Sequence, residues 1–120
     1  MSRYMSRSIN RSLRLVAMLG SILLPQYNVL AASGWTDYVF ISELIATSQY
    51  RYLVVLKVSE NPSGCRNKNH FYQDYDFPGS EQIFSTLLEA VSSGKAVRVF
   101  VTGKCGLSGY AEISSVGIVP

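Results

Sequence analysis

Three side chains in this sequence have types and spacing that suggest acid–base or metal chemistry. His70, Asp74 and Asp76 lie close together in one polar segment, and imidazole and carboxylate groups are the usual proton carriers and hard-metal ligands. A solvated polar segment explains them better, because His70 is the only histidine in the chain. The sequence therefore predicts a non-enzymatic protein with no catalytic residue, no metal and no cofactor.

The tyrosines suggest a binding surface instead. Six of the eight tyrosines lie beyond residue 32, and tyrosine combines a flat apolar face with a hydroxyl, which suits sugars and protein interfaces. Tyr72, Asp74 and Tyr75 form the patch predicted to bind a sugar or a partner protein, and Trp35 is a further candidate anchor. The alternatives are packing in the core or on a strand surface for the tyrosines, and docking of Trp35 on the rim of its own domain.

Two cysteines, Cys65 and Cys105, are predicted to form a disulfide. The closed loop is long enough that the bond is worth about 4 kcal/mol in the chain-entropy account. In a small domain with a limited core, a contribution of that size decides whether the chain folds. The alternative, zinc-binding or catalytic thiols, lacks a Cys-x-x-Cys spacing and a second histidine.

The first 32 residues have the order of a secretory signal. Arginines precede an apolar run from Leu15 to Leu24, and small residues follow at Ala31 and Ala32. The run is shorter than the roughly 20 residues that span a bilayer, so cleavage is favoured over membrane anchoring. We therefore predict a signal peptide over residues 1–32 and a single mature domain over residues 33–120, secreted to the periplasm or the exterior, with no membrane span after cleavage.

Removal of the signal changes the charge of the protein. The whole chain carries +3, but residues 33–120 hold seven Lys and Arg against eight Asp and Glu, a net charge of −1. A near-neutral domain has little electrostatic attraction for a polyanion. Nucleic acid is therefore not an expected partner.

Hydrophobic patterning predicts five strands and one helix. The helix is expected to start with Ser80 as its N-cap and to stop at Gly94. A phase slip in the last strand predicts a bulge near Ser114 and Ser115. The apolar helix face, expected to pack on the sheet, comprises Ile83, Phe84, Leu87, Leu88 and Val91. The predicted strands cover residues 38–45, 51–58, 71–75, 96–102 and 110–119.

A helix between the third and fourth of five short strands is the order of a small OB-type barrel, in which the helix covers one end. The predicted fold class is therefore mainly β, or α+β, with such a five-stranded barrel. An open α+β sheet with the helix on one face is the alternative.

The mature region resembles the B subunits of bacterial AB5 toxins of the subtilase-cytotoxin and typhoid-toxin type. The likeness is carried by four short segments in the same order along the chain: Trp35-Thr36, Ile41-Ser42-Glu43-Leu44, Phe84-Ser85-Thr86-Leu87-Leu88 and Ser93-Gly94-Lys95-Ala96-Val97-Arg98-Val99.

The resemblance implies an OB fold, assembly into a homopentamer, and recognition of a glycan or of a partner protein subunit. The family's glycan-binding serine lies between the Trp-Thr pair and the first strand, where this chain has only residues 37–40. No glycan contact is therefore carried over, and a stand-alone envelope or inhibitor-type domain without sugar binding is the alternative function.

Overall fold

The computed structural model describes residues 32–120. Apart from Ala32, the predicted signal peptide lies outside the described residues. Within this range, no helix is long and apolar enough to cross a membrane.

The described chain is mainly β, with six strands in one sheet and one helix. The predicted order of elements is confirmed for the five expected strands and for the helix between the third and fourth of them. The elements are β1 (Gly34–Trp35), β2 (Ile41–Ala46), β3 (Arg51–Leu56), β4 (His70–Asp74), α1 (Ser80–Ser93), β5 (Val97–Cys105) and β6 (Ala111–Ile118).

The sixth strand, β1, was not predicted. Gly34 pairs with Val101 and Trp35 with Phe100 in β5. A two-residue strand is too short to show alternation, and its pairing partner lies far along the chain. The number of strands predicted from the sequence was therefore too low.

In space the strands follow the order β1-β5-β6-β4-β3-β2, with β1 and β2 at the two ends. The ladder pairing therefore leaves an open sheet and does not close it into a barrel. The two end strands are consecutive in sequence, and Val39 between them makes an isolated bridge with Val97 of β5.

Two antiparallel units meet at the parallel pair β4–β6. Only two residue pairs are in register across it: Phe71 with Ala111 and Tyr72 with Glu112.

The buried side chain of Gln73 extends the contact between β4 and β6, because its Nε2 donates to the carbonyl oxygen of Ile113 at 2.8 Å. Its Oε1 accepts from the Tyr52 hydroxyl at 2.9 Å, and burial raises the pKa of Tyr52 and so keeps this donor protonated. One amide side chain thus connects β3, β4 and β6.

The disulfide between Cys65 and Cys105 is confirmed, with a Cα–Cα distance of 5.6 Å. It joins the long β3–β4 connection to the end of β5. The bond is a second, covalent link between the two antiparallel units.

Helix α1 packs on the core through a face that the sequence predicted only in part. Leu87 and Ala90 are buried and Ile83 is partly buried against them, at the i, i+4, i+7 spacing of one helix face. Leu88 and Val91, which were expected to pack on the sheet, are about half exposed. The prediction for these two residues was wrong because Ala90, small but apolar, takes the central buried position.

The predicted helix end and strand bulge are confirmed, whereas the predicted N-cap is wrong. Gly94 adopts the left-handed conformation that ends α1 (φ 66°). Ser80 is the first helical residue and is buried, and Gly79 stands at the N-cap without a side-chain hydrogen bond. In β6, Phe100 pairs with Ser115 but Val101 pairs with Ile113, which leaves Ser114 as the bulged residue.

The adjacent leucines of α1 provide a matched test of how the helix is oriented. Leu87→Ala is expected to lower the free energy of unfolding by about 2–4 kcal/mol, because it leaves a cavity in the core. Leu88→Ala is expected to cost less than about 1 kcal/mol, since that side chain is already half exposed. Urea unfolding measures both values, and equal losses would contradict this orientation.

Asp37 connects the segment after β1 to the turn after β3. Its carboxylate accepts hydrogen bonds from the backbone N–H groups of Ser59 and Glu60, at 3.0 and 2.9 Å. Both donors lower the pKa of Asp37, and the N–H of Glu60 has the larger effect. Because the carboxylate is favoured in the folded state, its contribution to stability is complete above the ordinary aspartate pKa and is lost as the pH falls through the lowered value.

We therefore expect Asp37→Asn to be less stable than the natural protein at pH 6, with the difference shrinking as the pH falls below about 4. Urea unfolding across pH 2.5–6 measures the difference. Asp76→Asn, at an exposed position, controls for the loss of one carboxylate. A difference for Asp37→Asn that stays constant with pH would show that the two hydrogen bonds do not depend on the charge.

Candidate functional site: a groove between two turns

The first wall of the site is the turn between β2 and β3. Tyr50 has a φ of 69°, and it is the only non-glycine residue with a positive φ in the described part of the chain. The hydroxyl of Thr47 holds the turn closed, since it donates to the carbonyl oxygen of Arg51 and accepts from the N–H of Gln49. The Tyr50 side chain is 81% exposed, so a strained backbone presents a ring to solvent.

The second wall is the loop between β5 and β6. Gly106 and Tyr110 close it with a backbone hydrogen bond of 2.8 Å, and Gly109 donates to Gly106 at 2.9 Å. A Cβ at Gly106 would lie 3.0 Å from the Tyr72 ring, which is closer than ordinary packing, so glycine lets the loop lie on that ring without displacing it. The loop presents a fully exposed Leu107.

Between these walls lies a groove of about 690 Å³. Two tyrosine rings and two leucines provide apolar surface. The hydroxyls of Ser108 and of the two tyrosines, together with the amide of Gln49, provide hydrogen-bonding groups. The only charged side chain in the lining is Arg51. The lining residues are Thr47, Gln49, Tyr50, Arg51, Leu53, Leu107, Ser108 and Tyr110.

Arg51 is held in place from behind. Its Nε lies 3.0 Å from Oδ1 of Asp74, its cross-strand partner in β4. The contact is an ion pair and not an aligned hydrogen bond, because Asp74 Oδ1 has no hydrogen-bond donor in the described structure. The guanidinium carbon lies 4.4 Å from the centre of the Tyr72 ring. The charge of Arg51 is therefore compensated before any ligand arrives.

Tyr110 is held in a similar way. Its ring stacks on the imidazole of His70, with 5.0 Å between the ring centres and 24° between the planes. Nδ1 of His70 lies 3.0 Å from Oδ1 of Asn67. His70 thus helps to fix the Tyr110 ring in the groove. The described residues contain no group of three His, Cys, Asp or Glu side chains that could hold a metal ion.

Three of the residues predicted to bind a ligand lie behind the groove. Tyr72 is only 1% exposed and lies under Arg51 and Gly106. Burial raises its pKa, as does the negative charge of Glu112. Tyr75 is partly exposed, and its hydroxyl bonds to the backbone N–H and carbonyl of Thr47. Asp74 forms an ion pair with Arg51. The three side chains therefore support the residues of the first wall from the side facing away from the groove.

Trp35, the fourth predicted residue, is not part of this cluster. It lies on β1 at the far end of the strand order from β2, where it contacts Phe100. The prediction therefore combined residues of two separate surfaces. It missed Tyr50, Leu107 and Tyr110, whose signal in the sequence is weak: a tyrosine in a polar turn and apolar residues in a glycine-rich turn.

A smaller hollow of about 410 Å³ lies between the end of β2 and the start of α1. Tyr75 and Phe84 line it, together with Glu81 and two serines. The hydroxyl of Tyr75 is already bonded to the turn at Thr47. The larger groove is therefore the better candidate site.

No protein-family model matches the chain, and no curated protein shows a significant match. The geometry of the groove is therefore the main indication of function.

The left-handed conformation of Tyr50 gives a test of this geometry. Glycine adopts this conformation without strain but is a poor choice elsewhere in a turn, because it increases the entropy of the unfolded chain. We expect Tyr50→Gly to be about 1 kcal/mol more stable than Ser48→Gly, a change at an exposed residue of the same turn with a negative φ. Urea unfolding compares the two variants, and the reverse ranking would contradict the turn geometry.

Proposed function

We propose that this chain is a secreted, non-enzymatic binding module that holds a glycan in the groove between the turn at residues 47–50 and the loop at residues 106–110. The observation that carries the proposal is a pair of tyrosine rings, Tyr50 and Tyr110, in a groove that also contains a fixed arginine. Aromatic rings pack against the C–H faces of sugars, and amide, hydroxyl and guanidinium groups bond to their hydroxyls.

The rigidity of the groove supports this role. Arg51 is positioned by Asp74 and Tyr72, and Tyr110 is stacked on His70. A side chain that is already ordered loses little conformational entropy when a ligand binds. The compensated charge of Arg51 favours hydrogen bonding to a neutral sugar over capture of an anion.

We further propose that the open sheet corresponds to the partly open barrel of an OB fold, with residues 34–46 in the place of its first strand. Three observations support this. β1 and β2 are consecutive in sequence, Val39 in the segment that joins them pairs with Val97 of β5, and β4 runs parallel to β6. In OB folds, oligosaccharides bind at the strand 2–3 face and at the loops between strands 1 and 2 and between strands 4 and 5. If residues 34–46 are counted as strand 1, these two loops are the turn at residues 47–50 and the loop at residues 106–110, which form the two walls of the groove.

The resemblance to AB5 toxin B subunits extends this proposal to a homopentamer that delivers a partner subunit. The disulfide is consistent with an oxidising periplasmic or extracellular location. The second candidate is a stand-alone envelope or inhibitor-type domain without sugar binding. The short segment at residues 37–40 favours it, because Asp37 there is engaged in backbone hydrogen bonds.

A glycan array with the secreted protein tests the main proposal, followed by titration of the best ligand. Tyr50→Ser is expected to weaken binding roughly ten-fold, the equivalent of about 1.4 kcal/mol. Tyr38→Ser removes an exposed tyrosine outside the groove and is expected to leave the affinity within two-fold. An array without binding, or equal losses in both variants, would reject the groove as a glycan site.

Light scattering on the same material distinguishes the two candidates. A pentamer together with groove-dependent glycan binding is expected of the toxin-like module. A monomer that binds no glycan is expected of the stand-alone domain.

A further inference from the structure

A second surface surrounds Arg98, on the outward side of β5. The neighbouring Val97 and Val99 point into the core and are fully buried, and Arg98 alternates to the opposite side. Its guanidinium carbon lies 4.3 Å from the centre of the Trp35 ring and 5.1 Å from that of Tyr38. We call the surface formed by Trp35, Tyr38, Arg98 and Phe100 the arginine face.

Arg98 packs over a glycine in the adjacent strand. Arg98 pairs across the sheet with Gly117 of β6. A Cβ at Gly117 would lie 3.5 Å from both Cγ and Nε of Arg98, and 3.6 Å from the hydroxyl of Tyr38. The arginine side chain therefore lies close over the backbone of β6 at Gly117.

The charge of Arg98 is not compensated within the described residues. No carboxylate of residues 32–120 forms a salt bridge with it, and its Nε is buried without a hydrogen-bond partner. Arg51 differs, because Asp74 accompanies it. A buried N–H of a charged group without an acceptor is costly. The buried Nε is out of reach of a partner, but the terminal nitrogens of Arg98 make no hydrogen bond within residues 32–120 and can pair with a carboxylate in the plane of the guanidinium.

The residues around Arg98 are those of a protein interface. Trp35 is 38% and Tyr38 45% exposed, and Trp, Tyr and Arg are the residues most enriched at interface hot spots. A sugar ring would need an open aromatic face. The guanidinium lies over the Trp35 ring, and Phe100 meets that ring edge to face at 5.4 Å. The arginine face therefore fits a carboxylate flanked by apolar side chains better than it fits a saccharide.

We propose that the arginine face docks an acidic segment of a partner protein, with an Asp or Glu carboxylate bound to the guanidinium of Arg98. The aromatic rings hold the guanidinium in position and pack against apolar side chains next to that carboxylate. This interaction is independent of the groove, because none of the four residues of the arginine face lines it.

The only tryptophan of the chain lies in this surface, so its fluorescence reports binding directly. The probe is an eight-residue peptide in which Glu alternates with Val, and the reference is the same peptide with Gln in place of Glu. The Glu peptide is expected to change the Trp35 emission in a saturable way and to bind at least five-fold more tightly than the Gln peptide.

Variants assign the effect to Arg98. Arg98→Lys keeps the charge but loses the planar fork, and it is expected to weaken binding of the Glu peptide at least five-fold, as is Arg98→Gln. Arg66→Gln makes the same change of charge at an exposed arginine beside Gly109 and is expected to stay within two-fold. Tyr50→Ser should have no effect, which separates this result from any failure of the groove. Thermal unfolding confirms that each variant is folded.

Four outcomes would overturn the proposal. Equal binding of the Glu and Gln peptides would show that no carboxylate is recognised, and equal losses in Arg98→Gln and Arg66→Gln would show only general attraction of charge. A response to polygalacturonate without a response to the peptide would assign the face to a carboxylated saccharide. Loss of an oligomer in Arg98→Gln, again without peptide binding, would assign it to a second copy of the chain.

Discussion

The parallel contact between β4 and β6 is the joint on which the described structure depends. On one side lie β2, β3 and β4, on the other β1, β5 and β6, and two residue pairs join β4 to β6. Gln73 lengthens this short ladder with a side chain, and Tyr52 holds that side chain in place. An amide buried in an apolar core is tolerated because both of its ends are satisfied, which also restricts how the two units can slide past each other.

Each of the two surfaces depends on this joint in a different way. The groove has one wall from each unit, so its width follows from how β4 and β6 are joined. The arginine face belongs to a single unit, since Trp35, Arg98 and Phe100 lie on the paired strands β1 and β5. Of the two arginines, Arg51 has its carboxylate within the fold, whereas Arg98 has none among residues 32–120. This difference makes a neutral ligand suitable for the groove and an acidic one suitable for the arginine face.

Much of the fold was predictable from local patterns. A run of apolar and β-branched residues identified β3, and alternation identified β5. A phase slip located the bulge at Ser114, and the pair of cysteines indicated the disulfide. The face of α1 was predicted less well, because Ala90 looks less apolar than Leu88. In β4, Phe71, Tyr72 and Gln73 are all buried. Because this strand is buried on both faces, its sequence does not alternate, and nothing in it showed that Tyr72 is buried and not available to a ligand. The groove itself was not predictable, because Tyr50 and Leu107 are brought together only by the joint between the two units.

The disulfide has a consequence for the shape of the groove. Cys105 directly precedes Gly106, the residue that rests on the Tyr72 ring, and the bond anchors that corner to the β3–β4 connection. Before oxidation the corner is restrained by noncovalent contacts alone. Reduction of the bond would therefore remove the covalent anchor from this corner of the groove, so the shape of the groove is coupled to the redox state of the surroundings.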